Sequence, residues 1–173
     1  PTVDGLFIGG GFPETNASKL AENKSLRNNI KLALVNGLPT YAECGGLIYL
    51  SKNLIWKNKT YEMVGFIPGN TVIRNRPVGR GYVMLSETHA HPWPDRVPID
   101  TLVPAHEFHH ASLENLPINT KFAYNVVRGH GINGTHDGIV MNNVVAGFTH
   151  RFSSNRFNWA RRFVNFVRQH KLR

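Results

Sequence analysis

The sequence predicts an α/β domain, a parallel sheet covered by helices on both faces, from three observations. An apolar run, Asp4-Gly5-Leu6-Phe7-Ile8, ends in Gly9-Gly10-Gly11, which fits a buried strand delivering the chain into a glycine turn. Leu26, Ile30, Ala33 and Leu34 then recur at helical spacing, with Ser25 as the cap and Gly37 where the helix stops. Leu38-Pro39-Thr40-Tyr41-Ala42 reads as a second strand and residues 45–52 as a second helix, completing a strand, helix, strand, helix order.

The middle of the chain is punctuated by Pro68, Pro77, Pro92, Pro94, Pro98 and Pro104 between short apolar segments such as Tyr82-Val83-Met84-Leu85. That spacing predicts short strands and functional loops. Ile139-Val140-Met141 and Val144-Val145-Ala146-Gly147-Phe148 flank Asn142-Asn143, the pattern of a hairpin. The chain ends in a helix whose apolar face is Phe157, Ala160, Phe163, Val164 and Val167.

Composition bounds the function. The 173 residues carry no repeat, low-complexity tract or linker and read as one domain. Twenty Lys and Arg oppose eleven Asp and Glu, for a net charge of +9. Residues 151–173 hold seven of the basic residues and no acidic one, and read as a solvated helix face, with Arg168, Lys171 and Arg173 suited to the negative helix C-terminus. A docking surface for an acidic partner is the alternative. Without interleaved exposed aromatics or a recognisable binding motif, nucleic acid is not expected. The apolar runs are only a few residues long, far from the roughly 20 needed to span a membrane. A single cysteine, Cys44, forbids an intrachain disulfide framework, and no basic-apolar-small leader pattern opens the chain, so a reducing, cytoplasmic setting is expected. Asn16, Asn23, Asn58 and Asn133 head glycosylation triplets that chance explains among eighteen Asn. The chain opens on Pro1 rather than Met and runs straight into a strand, which reads as a piece of something longer.

Cys44 is the most informative residue. It follows an apolar strand and precedes Gly45-Gly46 and a helix, so a sharp turn would hold its sulfur at the carboxyl end of the sheet, where open α/β sheets bind ligands. The helix N-terminus favours thiolate over thiol, and the glycines let substrate approach closely. A buried structural cysteine is the bland alternative, but Glu43 and two glycines make a poor apolar niche. Acyl chemistry then needs an oxyanion site and a base. The N–H groups of Gly45 and of the Gly9-Gly10-Gly11 turn are candidates for the first, since both turns follow adjacent parallel strands. Of nine histidines, His150 is the best placed base, because it ends an apolar strand at the sheet edge that carries Cys44.

Five blocks carry a family resemblance: Gly9-Gly10-Gly11-Phe12-Pro13-Glu14, Tyr41-Ala42-Glu43-Cys44-Gly45-Gly46-Leu47-Ile48-Tyr49-Leu50, Gly79-Arg80-Gly81-Tyr82, His106-Glu107-Phe108-His109 and Ala146-Gly147-Phe148-Thr149-His150. Together they closely resemble the glutamine amidotransferase domain of the cobyrinic acid a,c-diamide synthase family. The resemblance implies a flavodoxin-like class I amidotransferase fold that here lacks its first strand and helix. It implies that residues 1–173 are the glutaminase part of a larger synthetase. Cys44 would attack the carboxamide of glutamine and His150 would shuttle protons, with Gly10, Gly11, Gly45, Glu43, His106 and Glu107 at the oxyanion and substrate sites. Ammonia would pass to a tetrapyrrole carboxylate, such as one on cobyrinic acid, activated by ATP and Mg²⁺ on a synthetase domain. The domain here carries no cofactor of its own and no metal, and no phosphate-binding Gly-x-x-x-x-Gly-Lys-Ser/Thr occurs. Conventional class I members place a Glu two residues after the catalytic His, where this chain has Phe152, so the resemblance implies a Cys-His dyad. The family's ending, Ser-Tyr-x-His-x-His-Phe, is here the shorter Gly147-Phe148-Thr149-His150-Arg151-Phe152.

Other readings compete. An amidotransferase-like scaffold that has lost activity fits the shortened histidine segment. His106-Glu107-Phe108-His109-His110 also satisfies the His-Glu-x-x-His pattern of zinc hydrolases, which needs a helix between Pro104 and Pro117. Arg74, Arg76 and Arg80 form a basic loop, facing either an acidic substrate or solvent.

Overall fold

The chain folds around two sheets, and the structure, a computed structural model, describes residues 3–98 and 100–171. In order the elements are β1 (Leu6–Ile8), a 3-10 turn (Pro13–Asn16), α1 (Ala17–Glu22), α2 (Lys24–Val35), β2 (Thr40–Glu43), α3 (Gly45–Leu50), β3 (Ser51–Trp56), β4 (Lys59–Glu62), β5 (Ile67–Ile73), β6 (Gly79–Glu87), β7 (Val103–His109), β8 (Ala111–Glu114), β9 (Lys121–Arg128), β10 (His136–Met141), β11 (Val144–Gly147), β12 (His150–Arg151) and α4 (Trp159–His170). The main sheet has the order β1-β2-β11-β10-β9-β6-β7-β12, and a smaller one the order β4-β3-β5-β8.

The main sheet is parallel only at β1, β2 and β11, and antiparallel from there outward. The parallel arrangement expected from the first fifty residues holds at β1 and β2, and pairing turns antiparallel beyond β11. The two residues Asn142 and Asn143 that join β10 to β11 permit only an antiparallel pair, and Asn142 takes the positive φ of 51° that such a turn demands. The expected hairpin therefore forms. Side-chain alternation along β2 divides the interior: Tyr41 enters the core shared with Val83, Leu85, Trp93, Phe163 and Phe166 beneath α4, while Ala42 enters the core of Leu34, Leu47, Leu50, Leu54 and Ile67 on the other face.

Local details differ from the sequence reading. Asn23, not Ser25, caps α2, its side-chain oxygen accepting the Leu26 N–H at 3.1 Å. Helix α3 stops at Leu50, because Ser51 turns straight into β3. Helix α4 buries Phe163 and Phe166, whereas Val164 is exposed. Its basic residues are not all solvated: Arg162 is buried in an ion pair with Glu87, and Arg151 is buried ahead of the helix. No helix among the described residues is long and apolar enough to cross a membrane.

Beside these arginines lies His91, fully buried, with Nδ1 accepting the Trp93 N–H at 3.2 Å and Nε2 on the Tyr124 hydroxyl at 2.7 Å. Burial first, then the charges of Arg151, Arg162 and Arg96, push its pKa down to about 2. The imidazole stays neutral in the fold while the unfolded chain takes up a proton below about pH 6.5. Stability therefore falls as the pH drops below that value, by up to about 1.4 kcal/mol per unit from this group. Urea unfolding at pH 6.5 and pH 5 will show a shallower loss in His91→Gln than in the parent.

Candidate active site

Strand β2 delivers the chain to Cys44, whose φ of 47° and ψ of −100° turn it sharply into α3. This is the strand-to-helix elbow expected from Cys44-Gly45-Gly46. Close packing explains the glycines. A Cβ on Gly45 would lie 2.5 Å from the Gly11 carbonyl oxygen, and one on Gly46 would strike the Ile8 carbonyl. The Gly9-Gly10-Gly11 turn after β1 thus sits directly against the first turn of α3, where the leading N–H groups lack intrahelical partners. The elbow is strained for any residue with a side chain. Cys44→Gly should therefore be about 1 kcal/mol more stable than Cys44→Ala, the reverse of the usual helix preference, and urea unfolding of the two variants measures it.

His150 begins β12, the strand paired with β7 through His150 opposite His106. Its imidazole lies within hydrogen-bonding reach of Cys44, and its Nδ1 is 3.4 Å from Glu43 Oε2. A Cβ on Gly10 would lie 2.5 Å from His150 Cε1, so the glycine turn also roofs the imidazole. The contacts with Cys44 and then Glu43 outweigh burial and push the His150 pKa up to about 10. Cys44 is buried, 7% exposed, with His150 beside it and the Phe108 carbonyl 4.0 Å from its sulfur. The glycine turn and Phe12 above it are exposed.

The Glu43 carboxylate meets His150 and accepts the Tyr41 hydroxyl and the Arg151 N–H, the latter at 3.3 Å. Burial acts to raise its pKa, but the hydrogen bonds of His150, Tyr41 and Arg151 and the Arg151 charge win and lower it. The carboxylate expected at the oxyanion or substrate site thus has its oxygens bonded within the protein.

His106 and Glu107 part company on β7. His106 stacks on His150 with ring centroids 4.9 Å apart and on Phe152 at 5.4 Å, on the face of the site. Burial, then the neighbouring His150 charge, lowers its pKa and keeps it neutral. Glu107 points the other way, 2% exposed, accepting the N–H groups of His130 at 2.7 Å and Gly131 at 2.8 Å. Strand alternation sends adjacent residues to opposite faces, so Glu107, expected beside His106 at the substrate site, lies on the other side of β7. The zinc reading fails for the same reason. An extended chain separates His106 from His110 by on the order of 13 Å, too far for one ion. Arg74 is tied to Ser112 at 3.0 Å and to Glu114, while Arg80 is exposed opposite Phe108.

Two features of the site escaped sequence reasoning. Asp137 on β10 accepts the N–H groups of Phe148 at 2.9 Å and Thr149 at 3.0 Å, and so holds the segment that carries His150 into β12. In the sequence Asp137 only leads into the hairpin strand. Arg151 lies within an aromatic box and bonds the hydroxyls of Tyr41 and Tyr124. Adjacency to His150 was the one available signal.

A curled mixed sheet with an elbow at the end of its parallel strands defines a class I glutamine amidotransferase fold. A solved glutamine amidotransferase superposes on 95% of this chain and 79% of its own with a TM-score of 0.67 at 15% identity, a likeness of fold. A family model of the CobB/CobQ-like glutamine amidotransferase domain matches residues 1–157, and the chain belongs to that family. The cobyrinate a,c-diamide synthase of Magnetococcus marinus is 40% identical over 169 residues, 98% of this chain and 36% of the relative. That of Archaeoglobus fulgidus is 40% identical over 164 residues, 95% of this chain and 35% of the relative. The chain thus spans about a third of the length of these curated relatives.

Proposed function

We propose that this domain, residues 1–173, hydrolyses glutamine and supplies ammonia to a synthetase domain. There an ATP-activated carboxylate of a tetrapyrrole, of the kind handled by cobyrinate a,c-diamide synthases, is amidated in a reducing, cytoplasmic setting. The observation that carries the reading is the contact between an elbow cysteine and a cationic imidazole. The sulfur attacks the side-chain carbonyl carbon of glutamine, and the resulting oxyanion is held by N–H groups of Gly45 and of Gly10 or Gly11. His150, protonated at neutral pH, gives its proton to the nitrogen as the C–N bond breaks, releasing ammonia and leaving a glutamyl thioester. Neutral His150 then takes a proton from water, whose oxygen attacks the thioester and frees glutamate and the sulfur.

In this reading ATP and Mg²⁺ act on the synthetase domain, and no step here runs through them. Incubating the purified protein with glutamine, measuring ammonia and trapping a glutamyl adduct on Cys44 by acid quench and mass spectrometry tests the reading. Ammonia release with an adduct on Cys44 supports it. A protein that binds glutamine and forms neither is the inactive scaffold.

A further inference from the structure

His150 lacks the acid partner that the conventional arrangement supplies from its own strand: the position two residues on is Phe152, 54% exposed and stacked on His106. We propose that Glu43, the residue immediately before the nucleophile, is the positioning carboxylate of this site, completing a Cys44-His150-Glu43 constellation with the acid drawn from β2 instead of from the histidine's strand. The inference rests on the glutaminase reading for its catalytic consequence, but its geometry stands apart from it.

The positive φ of Cys44 makes it possible. In a regular strand Glu43 and Cys44 would face opposite sides. The elbow reverses the chain so that both side chains reach one imidazole. Glu43 is then fixed from behind. Arg151 Nε donates to the Tyr41 hydroxyl at 3.0 Å, Tyr41 donates to Glu43 Oε1, the Arg151 N–H adds to that oxygen, and Oε2 is left for His150 Nδ1. Tyr41 and Glu43 stand two apart on β2, on one face, so the relay follows from strand alternation. Each carboxylate oxygen is thus occupied, and the carboxylate cannot swing toward the glycine turn without abandoning partners that are buried with it.

The titratable and charged groups facing His150 are Glu43 and Cys44 from the β2 elbow, His106 from β7 and Arg151 beside it on β12. Of these, Glu43 is the one carboxylate among the described residues. Replacing it with Gln keeps the shape and removes the charge, so the histidine's proton is held less tightly.

Following the His150 ring by NMR against pH in the purified parent, Glu43→Gln and Glu43→Asp tests this directly, alongside kcat and KM for glutamine. The midpoint of His150 should fall by about one unit or more in Glu43→Gln. Its kcat should fall about 100-fold with KM changed less than about threefold, and Glu43→Asp should lie between the two. Should Glu43→Gln not fold, the Glu43→Asp midpoint and kcat carry the test. An unmoved midpoint overturns the proposal whatever the rates do, as does a kcat loss that tracks loss of folded protein. A shifted midpoint in a protein whose parent releases no ammonia leaves the Glu43 contact standing and sinks the glutaminase reading instead.

Discussion

Cys44→Ala will lose glutamine hydrolysis by at least about 10⁴-fold while remaining folded. The sulfur is the single nucleophile at the elbow: among the described residues the imidazole touches no hydroxyl or amine that substitutes for it. Serine fares no better. Its hydroxyl has the position but is a far weaker acid than a thiol, so little of it is available as the attacking alkoxide. Removing the base therefore adds little to removing the sulfur, because the two act as a unit. A coupled assay for ammonia on Cys44→Ala, Cys44→Ser and His150→Ala, with circular dichroism to establish folding, measures these losses. Residual hydrolysis in Cys44→Ala above about one part in a thousand of the parent rate would displace Cys44 from the mechanism.

Arg151→Ala should cost about 3 to 5 kcal/mol of stability, the largest loss expected from any single substitution at this site. The guanidinium is buried among the rings of Tyr41, Trp93, Tyr124 and Trp159, at 4.7, 4.8, 5.1 and 5.8 Å from their centroids, and bonds the hydroxyls of Tyr41 and Tyr124. Its removal opens a cavity, leaves two buried hydroxyls short of a donor and strips Glu43 of the positive charge behind it. Arg151→Lys should recover less than half, since an ammonium cannot lie flat between the rings or serve both hydroxyls in the fixed fork of a guanidinium. Urea unfolding reads both variants. A loss below about 1 kcal/mol in Arg151→Ala would mean that the charge contributes nothing its desolvation does not cancel.

Much of the nucleophile's setting was legible because its rules are local. Cys44-Gly45-Gly46 after an apolar strand has few uses other than an elbow, and the glycines answer to backbone contacts that no side chain tolerates. Asn142-Asn143 between two apolar runs can scarcely be anything but a hairpin turn. His106-Glu107 left two readings open because the same five residues satisfy a helical motif and a strand, and pairing with β6 fixes the strand. The basic tail misled: a count of charges does not reveal that Glu87 waits for Arg162 and an aromatic box for Arg151.

By itself the amino-acid order determined the elbow, the glycine turn packed against it and the identity of the candidate nucleophile and base, because backbone conformation and close approach depend on neighbours in the chain. The tertiary structure alone decided which way β7 faces, where the arginines are buried and which acid meets the imidazole. Those outcomes rest on pairings such as Glu43 with Arg151, 108 residues apart, whose strength comes from burial that no stretch of sequence contains.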